Sequence, residues 1–103
     1  MASAPTHVSF LLVSGFMMSA YVLAADALRL ANWRTGQRHF IWDVRTPDGK
    51  AAEANNGMVV TSDVPLEANP GPDAVFICAG FSAERGFTKA VFRWLRAIEQ
   101  SRR

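Results

Sequence analysis

Two short apolar runs, each closed by a small residue and a glycine, constrain this 103-residue chain more than any other feature in it. His7 to Val13 reads HVSFLLV and stops at Ser14-Gly15, and Ala74 to Cys78 reads AVFIC and stops at Ala79-Gly80. Runs this short, rich in β-branched and aromatic residues and lacking polar alternation, have the pattern of strands buried on both faces. Such strands belong to parallel sheets, whose neighbours are joined by crossover helices rather than by hairpins. An α/β fold is therefore expected.

The intervening segments agree with that expectation. From Met17 to Trp33 the chain is dominated by Leu, Ala and Met, with Ser19, Asp26 and Arg29 on a narrow polar stripe. This predicts a helix buried around most of its circumference, stopped by Asn32 and the Arg-Thr-Gly-Gln that follows. Arg38 to Thr46 alternates, with Phe40, Trp42 and Val44 pointing one way and His39, Asp43 and Arg45 the other. That is the pattern of a half-exposed strand. TPDGK (46–50) and NNG (55–57) read as turns, Met58 to Thr61 as a short strand, and EANPGPD (67–73) as irregular. A closing helix carries Phe87, Ala90, Val91, Trp94, Leu95 and Ile98 on one face, opposite Lys89, Arg93, Arg96 and Gln100. The order is strand, helix, strand, short strands, strand, helix. It predicts one domain over 1–103, a partial doubly wound and mainly parallel sheet with right-handed crossovers.

Composition narrows the function. Half of the residues are hydrophobic and 19% are charged, enough for a core and against disorder. The formal charge of +2 is too small to imply nucleic acid, and a solvated face is the simpler account of the basic terminal helix, whose Arg102 and Arg103 add to its charge. One cysteine, Cys78, excludes an intramolecular disulfide and fits a reducing, cytoplasmic setting. Val8 to Ala25 has no charged residue, but no Lys or Arg precedes it, and Ser9, Ser14, Gly15 and Ser19 interrupt it. A strand, a turn and a helix fit it better than a signal or a membrane span.

Among chemical motifs, the phosphate loop, GxGxxG, HExxH, CxxC and GxSxG are all absent. His7 and His39 have no second ligand at metal spacing, so neither a metal nor a cofactor is expected. In parallel α/β sheets ligands gather at the carboxyl ends of strands. That rule singles out Ser14-Gly15-Phe16 and Ala79-Gly80-Phe81-Ser82, whose backbone N–H groups are candidates for holding an anion. Gly15, Phe16, Ala79, Gly80 and Phe81 are the candidate ligand-binding residues. The simpler reading is that each glycine just makes a tight turn. Cys78, inside an apolar run, reads as a small hydrophobe rather than a nucleophile.

Taken together, VSFLLVSGFMMSAYVLAADALRLAN (8–32), WDVRTPDG (42–49), NNGMVVTSD (55–63), PDAVFICAG (72–80) and FRWLRAIEQ (92–100) form a recognisable set. In order and spacing they resemble the amino-terminal sensor domain of AraC-type transcription regulators, built on the ThiJ/PfpI, class I amidotransferase-like fold. The resemblance implies a flavodoxin-like half domain and a ligand that is a small polar or nitrogen-containing metabolite. Enzymes of that superfamily carry a nucleophilic cysteine on the strand after the last helix, where this chain stops at Arg103. Cys78 does not match that position. Ala79-Gly80 matches a Gly-Gly pair that forms the enzymes' oxyanion hole, and Met17, Met18 and Ser19 stand where the enzymes place an acidic residue. The regulators' helix-turn-helix is missing too. The expectation is a non-catalytic sensor or dimerisation portion of an AraC-type regulator that does not itself bind DNA. The alternative is a shortened hydrolase-like or glyoxalase-like ThiJ/PfpI enzyme. A half-covered parallel sheet is also expected to self-associate as a homodimer or larger assembly.

Overall fold

The computed structural model describes residues 4–81 and 83–101. Ser82, in the second expected loop, and Arg102 and Arg103 lie outside the described residues. The chain runs β1 (Thr6–Leu12), α1 (Met18–Thr35), β2 (Phe40–Arg45), β3 (Ala52–Glu53), β4 (Val59–Val60), β5 (Ala74–Cys78), a 3-10 turn (Ala83–Arg85) and α2 (Lys89–Ser101). β1 is the centre of a three-stranded sheet ordered β2-β1-β5, with both pairings parallel. In register, Phe10 of β1 lies between Val44 of β2 and Phe76 of β5.

The apolar run of β1 earns its central place because both of its faces are covered. Val8, Phe10 and Leu12 join Phe16, Val44 and Cys78 in a core packed by Met18, Tyr21, Ala24, Ala25 and Leu28 of α1. Leu11 and Val13, one residue out of phase, pack on the opposite side with Leu66 and with Val91 and Trp94 of α2. One helix on each face is the doubly wound arrangement. Its crossover is fixed locally by Asn32, whose side-chain amide bonds both the carbonyl (2.9 Å) and the N–H (3.0 Å) of Phe40. Asn32 thus ties the last turns of α1 to the start of β2. The helix then stops at Gly36, whose φ of 67° closes its C-terminus.

Three expectations are corrected. α1 is not buried around most of its circumference: none of its residues is fully buried, and Val22, Leu23, Leu30 and Trp33 are exposed. A helix lying on a three-stranded sheet has one face to bury, and among the described residues no further layer covers the other. β5 is not buried on both faces either, since Ala74, Phe76 and Ile77 are exposed. Among the described residues it is bonded only to β1, at the edge of the sheet, and part of each face is exposed. In β2 the expected alternation fails at its end. Val44 and Arg45 are both buried while Trp42 is exposed, because Arg45 finds partners that satisfy its charge inside. The short strands are a two-residue antiparallel pair, β3 with β4, around the Asn-Asn-Gly turn.

Candidate functional site

A cleft of about 530 Å³ opens at the carboxyl edge of the sheet, where the chain leaves β1 and β2. Leu12, Ser14 and Gly15 form its floor from β1. The turn after β2 supplies Thr46, Asp48 and Lys50, β3 supplies Ala52 and Glu53, and the segment before α2 supplies Arg85, Gly86 and Thr88. Local chemistry pre-forms these walls. Thr46 Oγ1 donates to the carbonyl of Lys50 at 2.6 Å, and the Lys50 N–H donates to the Asp48 carboxylate at 2.9 Å, closing a rigid turn. The Gly15 N–H donates to the carbonyl of Glu53 (2.7 Å) and the Asn55 N–H to that of Phe16 (2.8 Å), clipping the β3–β4 hairpin onto the loop after β1. The exposed rim carries both signs of charge, Lys50 and Arg85 against Asp48 and Glu53.

The five residues singled out in the sequence are brought to one end of the sheet but not into one site. Gly15 lines the cleft. Phe16 is fully buried in the core beside Tyr21, with ring centroids 6.2 Å apart. Ala79 is half-buried against the Leu11–Val13 cluster, and Phe81 is fully exposed. Gly80 has a packing role: a Cβ there would collide with the carbonyl oxygen of Gly15, so the two strand-end loops meet backbone to backbone. The N–H groups of Gly15 and Phe16 are spent on the carbonyls of Glu53 and Val13. An anion in the cleft therefore has Lys50 and Arg85 as its positive partners rather than those two amides. The walls from Thr46 to Glu53 and from Arg85 to Thr88 were missed in the sequence. A signal for the first was present, because a polar turn after a parallel strand lies on the same edge as Gly15.

A second polar cluster was also missed. Asp43 accepts from Ser9 Oγ at 2.6 Å, shares a 2.7 Å bond with His7 Nε2, and takes Arg45 Nε and Nη2 at 3.2 Å each. Burial alone would push the Asp43 carboxyl up, but the bonds from Arg45, Ser9 and His7 and the charge of Arg45 together hold it below its ordinary range. Arg45, 1% exposed, also donates to the carbonyls of Leu66, Ala68 and Pro70 and lies 5.6 Å from the Trp94 ring centre. These residues include the three types of a hydrolytic triad, but in the wrong order. Ser9 donates to the carboxylate, so the bond that would activate its hydroxyl through an imidazole is not made. The cluster anchors the loop over 66–70 to the sheet. Cys78 is buried in the core, with its thiol pushed up by burial, and it does not line the cleft. Among the described residues no three His, Cys, Asp or Glu side chains are grouped to hold a metal ion, and no helix is long and apolar enough to cross a membrane.

No protein-family model matches the chain. It is 39% identical over 92 residues to the HTH-type transcriptional regulator CdhR of Pseudomonas aeruginosa, a match covering 89% of this chain and 27% of that protein. The HTH-type transcriptional regulator GbdR of the same species is 30% identical over 100 residues, covering 96% of this chain and 27% of that one. The chain thus spans about a quarter of the length of these relatives. Among solved structures, an AraC family transcriptional regulator from Pseudomonas putida superposes with a TM-score of 0.79 at 23% identity, over 94% of this chain and 60% of that one. A DJ-1 superfamily protein from Agrobacterium tumefaciens gives 0.67 at 24% identity, over 95% of this chain and 50% of that one. Both structures have the fold described above, and the two regulators from Pseudomonas aeruginosa add the sequence relationship. Over most of its length this chain is similar in sequence to one segment of two HTH-type transcriptional regulators, and it shares its fold with the AraC family regulator and the DJ-1 superfamily protein.

Proposed function

We propose that the chain is the effector-sensing, non-catalytic part of an AraC-type transcriptional regulator, acting in the cytoplasm and contributing ligand response and self-association rather than DNA contact. The observation that carries this reading is the separation of the pocket from the chain's single thiol. The cleft lies at the sheet edge where α/β folds bind ligands, with Lys50, Arg85 and Glu53 on its rim, while Cys78 is buried in the core. A binding site with charged groups of both signs and, among the described residues, no activated nucleophile suits recognition of a small polar metabolite without turnover. Gly15 belongs to this proposed site; Gly80 packs against its backbone, and Phe16 lies in the core beneath the same loop.

A thermal-shift screen of small amino acids, amines and carboxylates against the isolated chain tests the proposal. A ligand at a hundred times its Kd stabilises the folded state by about 2.7 kcal/mol, which for a chain this size raises Tm on the order of 10 °C. Replacing Lys50 or Arg85 by Ala removes a charged hydrogen-bond partner and is expected to weaken that ligand about tenfold or more. Turnover of a model amide or glyoxal that disappears in Cys78→Ser would replace this reading with the enzyme one.

A further inference from the structure

We propose that the cleft is coupled to α2 through Arg45: the turn that walls the cleft and the loop that Arg45 holds beside α2 move together. This deepens the sensing reading above by giving the cleft an output, and it rests on that reading only for what displaces the turn. Arg45 closes β2, and Thr46 opens the turn after it. Successive residues of a strand point to opposite sides, so one peptide unit serves two places. Thr46 lines the cleft, while the Arg45 guanidinium lies 5.6 Å from the ring centre of Trp94 on α2.

The bonding on either side of that peptide unit favours transmission. Up to Val44 the strand is pinned, since the Val44 N–H donates to the Asp63 carboxylate (2.7 Å) and its carbonyl accepts from the Asp63 N–H (2.8 Å). Beyond it, Thr46 and Asp48 are both bonded to Lys50, so the turn shifts as a unit and its first residue pulls on Arg45. The guanidinium pivots on Asp43, which Ser9 and His7 of β1 hold in place. Its other donors reach the carbonyls of Leu66 and Ala68 at 2.9 Å each and of Pro70 at 3.3 Å. Such bonds fade beyond about 3.2 Å, so a shift of a few tenths of an ångström at Thr46 releases Pro70 first and then the rest of the loop. Coupling carried by a contiguous chain of bonded groups with two arrangements, here clamped and released, needs no larger motion.

NMR on the whole chain tests this without a ligand. Asp48→Ala removes the exposed carboxylate that accepts from the Lys50 N–H, and Thr46→Val removes the hydroxyl bonded to the Lys50 carbonyl. In both, the Ala68 amide, bonded to the Pro65 carbonyl at 3.0 Å, is expected to exchange about tenfold faster than in the wild type, and the Trp94 indole N–H resonance to shift. Asp26→Ala, which removes an exposed carboxylate on α1, is expected to change neither. In Arg45→Met the Ala68 amide should already exchange at the faster rate, and adding Asp48→Ala should accelerate it no further. Arg45 as a brace alone would not produce that non-additivity. Where Arg45→Met fails to fold, the two turn variants decide. Turn variants that alter the resonances of residues 46–50 but leave Ala68 and Trp94 as in the wild type overturn the coupling. A full further acceleration on adding Asp48→Ala to Arg45→Met takes Arg45 out of the route and overturns the proposal as well. A ligand screen without a hit counts against the sensing reading and leaves these measurements as they stand.

Discussion

Arg45 carries a full charge at 1% exposure, and its surroundings explain how the fold tolerates it. Asp43 neutralises it, and the carbonyls of Leu66, Ala68 and Pro70 take its remaining donors. Removing one partner of such a pair strands the other, so Arg45→Met is expected to cost about 3 kcal/mol in a urea titration. Acid has a related effect with a defined sign. The Asp43 carboxyl is held below its ordinary value in the folded state, so the unfolded chain takes up that proton first as pH falls. Its contribution to stability is complete above the unfolded value near pH 4 (about 3.9) and is lost as pH drops through the lowered folded value. Denaturation midpoints measured between neutral and strongly acid pH should flatten over that window in Asp43→Asn, from a lower neutral starting point. A variant with the wild-type slope would place the acid sensitivity elsewhere. Neither the burial of Arg45 nor the partial burial of Asp43 was legible in the sequence. Asp43 and Arg45 sit at alternating positions of a strand, where solvent is the default partner, and the loop carbonyls that take up Arg45 come from residues 66–70.

At the scale of elements, the two helices differ in what their sequences reveal. α2 is plainly amphipathic, and Val91 and Trp94 from its expected apolar face are buried. α1 is apolar nearly all round, so periodicity alone could not tell the face on the sheet from the face left bare. Substitution should separate them. Leu23→Gln, on the bare face, is expected to change monomer stability by no more than about 0.5 kcal/mol. Trp94→Ala opens a cavity beneath α2 and removes the ring beside Arg45, for an expected loss of about 3–5 kcal/mol. Equal losses from the two in chemical denaturation would mean that α1 is covered in solution. The strands were read well where their burial was uniform: the runs at 7–13 and 74–78 became β1 and β5 within a residue of their expected ends. What could not be read was rank within the sheet. AVFIC looks like an interior strand, and only the three-dimensional order shows that, among the described residues, it has a neighbour on one side alone.

Over the whole molecule, the parallel sheet brings to one edge the loops that sequence separates by tens of residues, and that juxtaposition makes the cleft. Gly15 was identifiable in advance because a strand ending in Ser-Gly marks a carboxyl edge. Lys50, Glu53 and Arg85 were not, since their place beside Gly15 depends on the hairpin clipped to the loop after β1 and on the turn before α2. The central claim, a sensing cleft without catalysis, is tested most directly by mapping where a bound ligand sits. Amide chemical shifts of the isotopically labelled chain should be followed by NMR as a stabilising amino acid, amine or carboxylate is titrated in. The expected shifts cluster at Ser14, Gly15, Thr46, Glu53 and Gly86, and the ligand is recovered unchanged. Shifts confined to the groove between Glu67–Asp73 and α2, or a ligand consumed during the titration, would contradict the account.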